Sequence, residues 1–277
     1  MKKILLLTSL IGLAAAQSAV AANYTIQNNE ADFWNTSQSW TNADIWWNET
    51  TVPTFNSTAD QIIGSSKFAD STVDVTTAVD VNVLKLGHVN DAGDYTLTLN
   101  VGNAASFNTN NITEVGRNAK AILNIDGGTY TSVSNATFGQ GNSGVMNITS
   151  GGAFTAGAGF VVRGSGAINV VDGTLNLTQA DIVDTSVSIL MDLGGTLDLQ
   201  GSSTVVLAGD QTISGNFNTY IDNGWITSNG NSGAANFSQV FDGTNTIVSA
   251  APIPEPSTYA LLGGLVALGS VMMRRRK

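Results

Sequence analysis

The sequence predicts an all-β protein built as a β-solenoid, and three observations carry that prediction. Five short segments share one apolar-polar-apolar pattern: Leu99-Asn100-Val101, Leu123-Asn124-Ile125, Met146-Asn147-Ile148, Ile168-Asn169-Val170 and Met191-Asp192-Leu193. Their centres are 24, 23, 22 and 23 residues apart, so each coil is expected to hold about 22–24 residues. Four of the five are followed by glycine and a further apolar position, as in Gly127-Gly128-Thr129-Tyr130, Gly151-Gly152-Ala153-Phe154, Gly173-Thr174-Leu175 and Gly194-Gly195-Thr196-Leu197. Composition agrees: 30 glycines, 42% hydrophobic residues and only 12% charged ones read as short strands joined by tight turns, with too much apolar content for disorder.

In chain order, residues 1–22 read as a signal peptide. Lys2 and Lys3 form a positive start, Ile4 to Ala16 an apolar run, and Gln17 to Ala22 a small-residue cleavage region. Cleavage after Ala21 and cleavage after Ala22 both satisfy the shallow pockets of a signal peptidase, and the run is short for a membrane span. Residues 23–69 hold Trp34, Trp40, Trp46 and Trp47 with Pro53 and Asp60, and are expected to cap the open first coil. Exposed tryptophans stacking on sugar rings are the other reading of that cluster.

Residues 70–214 are the expected solenoid. A second element, Val115-Gly116-Arg117, Phe138-Gly139-Gln140 and Val162-Arg163-Gly164, precedes three of the repeated strands. One coil cannot bury its apolar face alone; stacking on its neighbours makes the core. The repeated asparagines either stack into ladders or face water, and for any single one the solvated reading is the expectation. Residues 215–249 read as closing strands, over Phe217 to Ile226 and Ala235 to Phe241, with Asp242-Gly243 as a hairpin signal before Thr246-Ile247-Val248.

Residues 250–277 differ from all of this. Pro252-Ile253-Pro254-Glu255-Pro256 precedes an apolar stretch from Tyr259 to Met273, then Arg274-Arg275-Arg276-Lys277. As a helix the stretch is roughly 22 Å long, marginal for a bilayer core of about 30 Å. The basic cluster is expected to stay cytoplasmic, and the prolines keep the preceding segment extended and open to a protease.

Pro254-Glu255-Pro256, the short apolar helix and the terminal basic cluster resemble the PEP-CTERM sorting signal. That resemblance implies an exosortase that removes the tail, transient anchoring in the inner membrane, and a Gram-negative host that makes extracellular polysaccharide. The stretch from about 115 to 175 resembles the repeat of autotransporter passengers and PEP-CTERM proteins, which implies a right-handed parallel β-helix. The pattern from Trp34 to Ile63 resembles the leader of autotransporter-type β-helices.

Charge narrows the partners. The formal net charge is -10, and six of the eleven basic residues lie in the two terminal segments with only Glu255 among the acids; the body then carries five basic and twenty acidic residues. Such a surface repels nucleic acid. With no cysteine and one histidine, His88, neither disulfides nor the usual zinc ligand sets are available. No Gly-x-Ser-x-Gly elbow and no phosphate loop is present. His88 reads as a turn or surface residue.

Asp172, Asp192 and Asp198, with Arg163, are the candidates for carboxylate chemistry; turn and surface roles are preferred for them. Asp74, Asp80, Asp91 and Asp94 are candidates for weak calcium binding, with solvated charge preferred. The expectation is therefore an exported, non-catalytic structural or adhesive protein of a polysaccharide or biofilm matrix or cell surface, without cofactor. A carbohydrate-active β-helix enzyme and a permanently membrane-anchored envelope protein are the alternatives.

Overall fold

A computed structural model describes residues 23–26, 45–46, 57, 61–64, 70–88, 95–177, 189–191, 195–212, 216–251, 264–266 and 268. The chain begins with β1 (Asn23–Ile26), β2 (Ile45–Trp46) and β3 (Gln61–Gly64). From there it winds through three-stranded coils. The first coil is β4 (Ser71–Val75), β5 (Ala78–Val81) and β6 (Val83–Leu86). The second is β7 (Thr96–Val101), β8 (Ser106–Thr109) and β9 (Thr113–Val115). The third is β10 (Lys120–Asp126), β11 (Thr129–Ser132) and β12 (Ala136–Phe138). The fourth is β13 (Gly144–Thr149), β14 (Ala153–Ala156) and β15 (Phe160–Val162), and the fifth β16 (Gly166–Val171), β17 (Thr174–Leu177) and β18 (Ile189–Met191). A last partial coil has β19 (Thr196–Gln200) and β20 (Thr204–Ala208).

Corresponding strands of successive coils pair in parallel and in register, which makes the body a parallel β-solenoid with three long sheets. We call them sheet A (through β6, β9, β12 and β15), sheet B (through β4, β7, β10, β13, β16 and β19) and sheet C (through β5, β8, β11, β14, β17 and β20). β3, β1 and β2 continue sheet A beyond the first coil. Inside and outside alternate residue by residue along the strands, as a period of two requires.

The core is a stack of like on like. On sheet B, Val73, Leu99, Leu123, Met146, Ile168, Leu197 and Ile226 occupy one buried column. On sheet C the equivalent column runs Val79, Phe107, Tyr130, Phe154, Leu175, Val205. Phe107, Tyr130 and Phe154 stack with ring centroids 5.2 Å apart at both steps, close to the strand spacing of about 4.8 Å. The Tyr130 hydroxyl is fully buried and lies 2.9 Å from Thr113 Oγ1, which itself lies 2.9 Å from Thr109 Oγ1 and 3.2 Å from Ser132 Oγ. Burial pushes the Tyr130 phenol well above its usual range, so it stays a neutral hydroxyl within this internal network.

Glycine at the corner from sheet A to sheet B lets one coil sit directly on the next. Gly139 has φ +70°, and a Cβ there would lie 2.0 Å from the Gly166 backbone nitrogen; at Gly116, φ +77°, a Cβ would lie 2.4 Å from Gly144. The position demands both a left-handed backbone and no side chain.

Three expectations change. The segment Met191-Asp192-Leu193 is not the fifth copy of the repeated strand: Met191 ends β18 in sheet A, and the residue paired with Asn169 is Asp198. The fifth coil is longer than 22–24 residues because residues 178–188 intervene between β17 and β18, so Asn169 and Asp198 are 29 positions apart. Glycine marks the register of the later sheet B strands only: Gly144 opens β13 and pairs with Gly166, which opens β16, and Gly195 stands one step before Thr196, the partner of Ala167.

The second change is at the C-terminal end. Residues read as a strand form α1 (Asn216–Asp222), which buries Phe217, Tyr220 and Ile221. Their spacing, i, i+3 and i+4, is one helical face. Beyond it β21 (Ile226–Ser228) adds to sheet B, and β22 (Phe237–Phe241) with β23 (Asn245–Ala250) forms the expected hairpin about Asp242-Gly243. β23 pairs antiparallel with β20, so the stacking direction ends there. The third change concerns the asparagines.

Candidate functional site

The repeated asparagines lie on the outer face of sheet B, half-buried, and they bond to one another. Asn100 Nδ2 donates to Asp74 Oδ1 at 2.7 Å; Asn124 to Asn100, Asn147 to Asn124 and Asn169 to Asn147 each donate Nδ2 to Oδ1 at 2.8 Å. The expectation of individually solvated side chains is therefore corrected: in-register parallel pairing puts identical amides one strand apart, where each satisfies its neighbour. Asp198, next in the column, accepts from Thr227 Oγ1 at 2.7 Å, Gln200 Nε2 at 2.6 Å and the Gly230 backbone at 2.9 Å.

A shallow open groove of about 640 Å³ follows this ladder across four coils. Its wall includes Asp74, Asn100, Asn124 and Asn147 on one side and Thr76, Gly102, Asp126 and Thr149, from the strand ends and turns toward sheet C, on the other. Thr149 Oγ1 donates to Asp126 Oδ1 at 2.9 Å, repeating the coil-to-coil bond one column over. Hydrogen bonds from Ser150 first and Thr149 second hold the Asp126 carboxyl below its usual range, so it is ionised at neutral pH. Two residues back along each strand, Ile122, Val145 and Ala167 form a half-buried apolar row facing the same way.

A separate charged cluster sits on sheet A. His88 Nδ1 lies 3.1 Å from Glu114 Oε2, and Arg117 Nη1 3.5 Å from Glu114 Oε1. Lys85 is the register neighbour of Glu114. The contact with His88 first, then the charges of Lys85, His88 and Arg117, hold the Glu114 carboxyl below its ordinary value, while its partial burial pulls the other way. His88 is thus a close neighbour of Glu114 across two coils, a placement its lone position in the sequence did not reveal.

The carboxylates considered for catalysis do not form a shared pair in what is described. Asp172 sits in a left-handed turn, φ +54°, and accepts from the Ser202 backbone at 2.7 Å. Asp198 is engaged as above, and Asp192 lies outside the described residues. Of the calcium candidates, Asp74 belongs to the ladder, Asp80 accepts from Asn110 Nδ2 at 3.2 Å, and Asp91 and Asp94 lie outside the described residues. Among the described residues no group of three or more His, Cys, Asp or Glu is arranged to hold a metal ion. Ala21 and Ala22, the residues Pro254, Glu255 and Pro256, and the cluster Arg274, Arg275, Arg276 and Lys277 lie outside the described residues, as do Trp34, Trp40 and Trp47. Among the described residues no helix is long and apolar enough to cross a membrane.

Sequence reasoning found the asparagines but missed the groove residues Thr76, Gly102, Asp126 and Thr149. Asp126 and Thr149 each sit two positions after a ladder asparagine, and that common offset was the available signal.

Fold and ladder together define a parallel β-solenoid with a polar outer groove. At its C-terminal end the chain carries a PEP-CTERM protein-sorting motif, whose family profile matches residues 252–277. The motif implies an exported or surface protein processed by an exosortase. No curated protein and no solved structure matches the chain.

Proposed function

We propose that this chain is a non-catalytic structural or adhesive protein of an extracellular polysaccharide matrix or cell surface. It is delivered there by a signal peptide cut after Ala21 or Ala22 and freed from transient inner-membrane anchoring when its tail is removed. The sorting motif at 252–277 carries this reading. The body supports it in three ways. A solenoid whose coils lock together through backbone ladders and a stacked core needs no disulfide to persist outside the cell. An acidic surface keeps it soluble and away from nucleic acid. Asp172 and Asp198 are occupied in turns and inter-coil bonds, which speaks against their serving as a hydrolytic acid and base.

The test is intact mass and C-terminal peptide mapping of protein recovered from its native host, fraction by fraction. A matrix or surface form ending near Pro254 to Ser257 is the expected result. A membrane-bound form still carrying Arg274 to Lys277 would overturn the processing step and make the tail a permanent anchor.

A further inference from the structure

We propose that the groove along the sheet B ladder binds a neutral, hydroxyl-rich polysaccharide strand lying parallel to the solenoid axis. The proposal rests on the matrix reading above and names the ligand class for it. Each asparagine amide carries two N–H groups and two acceptor lone pairs, and the ladder uses one of each. Asn100, Asn124 and Asn147 therefore retain one donor and one acceptor per rung for a ligand, repeated at the strand spacing of about 4.8 Å. A hydroxyl both donates and accepts, so it answers such a rung completely. A carboxylate or phosphate group answers only the donors and an ammonium group only the acceptors.

Charge makes the same selection. Asp74 and Asp126 line the groove, and none of its described lining residues is basic. Uronate or phosphate polymers are repelled there, whereas carboxylates accept strong hydrogen bonds from neutral hydroxyls. The adjoining row of Ile122, Val145 and Ala167 offers apolar surface to the C–H faces of sugar rings. The ladder also fixes the side-chain rotamers in advance, so binding does not have to order them. One rung binds weakly; successive rungs along one polymer sum.

Gly102 gives a clean probe. It lines the groove, lacks a positive φ, and a Cβ there meets nothing nearer than the Val75 carbonyl at 3.6 Å. Gly102→Trp therefore places a bulky side chain at the groove from a position whose backbone accepts a Cβ, and circular dichroism of the variant checks that the fold is kept.

The experiment is affinity electrophoresis of the full folded protein in native gels containing dextran, galactomannan, xyloglucan, hydroxyethylcellulose or polygalacturonate. Retardation by at least one of the four neutral polymers and not by polygalacturonate is expected. Gly102→Trp, and separately Asn124→Ala with Asn147→Ala, are expected to weaken that retardation about tenfold or more in apparent affinity, as loss of successive hydrogen-bonded rungs implies. No retardation by any neutral polymer, retardation by polygalacturonate, or retardation indifferent to Gly102→Trp would each overturn the inference. Recovery of the processed protein in the matrix fraction would still stand in those cases, so the two readings fail separately.

Discussion

Replacing Gly139 by alanine separates backbone strain from coil contact. The left-handed backbone, φ +70°, costs an L-residue about 1–2 kcal/mol. The added methyl would start 2.0 Å from the Gly166 nitrogen and 2.4 Å from its Cα, so whole coils must shift rather than one side chain. Overpacking of that kind costs about 1–3 kcal/mol more. The total, about 2–5 kcal/mol, is a large part of the 5–15 kcal/mol typical of a folded domain. Two controls split it. Gly151 has φ +78° with nothing within 4 Å of a Cβ, so Gly151→Ala should show the strain alone. Gly144 has no positive φ, but its Cβ would lie 2.1 Å from the Val115 carbonyl oxygen, so Gly144→Ala should show the overlap alone. Urea unfolding followed by circular dichroism gives all three. If Gly139→Ala costs no more than Gly151→Ala, coil-to-coil proximity is not what demands glycine at the corner.

Three further outcomes follow from the same structure. Phe154→Ala should cost about 3–5 kcal/mol in urea unfolding, because the ring is fully buried and stacks on Tyr130 at 5.2 Å. Tyr130→Phe should cost about 1–2 kcal/mol, since it removes only the hydroxyl bonded to Thr113 Oγ1 at 2.9 Å and keeps the stack; a loss as large as that of Phe154→Ala would refute the network as a modest contributor. Glu114 is held below its ordinary pKa in the folded state, so its contribution is complete above the unfolded carboxylate value and is lost as pH falls through the lowered folded value. A His88→Gln variant should therefore be less stable than the parent at neutral pH, and the difference should vanish in strong acid; an unchanged difference at all pH values would remove the His88–Glu114 contact from the account.

The body of the fold was legible because burial in a solenoid repeats. Leu99-Asn100-Val101 and its next three copies are each one strand with one buried face, and the structure stacks them in register. The reading failed at Met191 because two segments fit the same pattern six positions apart, and regular spacing favoured the wrong one. What decides between them is a coil longer than its neighbours, which no local preference encodes. The helix at Phe217, Tyr220 and Ile221 was misread for a related reason: its period was helical, but its neighbours prepared the eye for strands. The site was half legible. The repeated asparagines were plain, but their mutual bonding depends on neighbours 22–24 positions away. The groove comes from turn geometry at the strand ends, to which Gly102 and Thr76 contribute almost no chemical signature.

The asparagine row is a one-way street. Every amide gives its proton toward the start of the chain, so each rung dictates the orientation of the one after it. A carboxylate can receive but never give, and so it belongs only where a run begins. Asp74 stands at the head of the four asparagines, and Asp198 heads a new run by receiving from Thr227. An aspartate at Asn124 or Asn147, by substitution or by deamidation with age, would stop the traffic in the middle and set two oxygens facing each other. The sequence spells this grammar with aspartate as the opening word and asparagine for every word that must pass the message on.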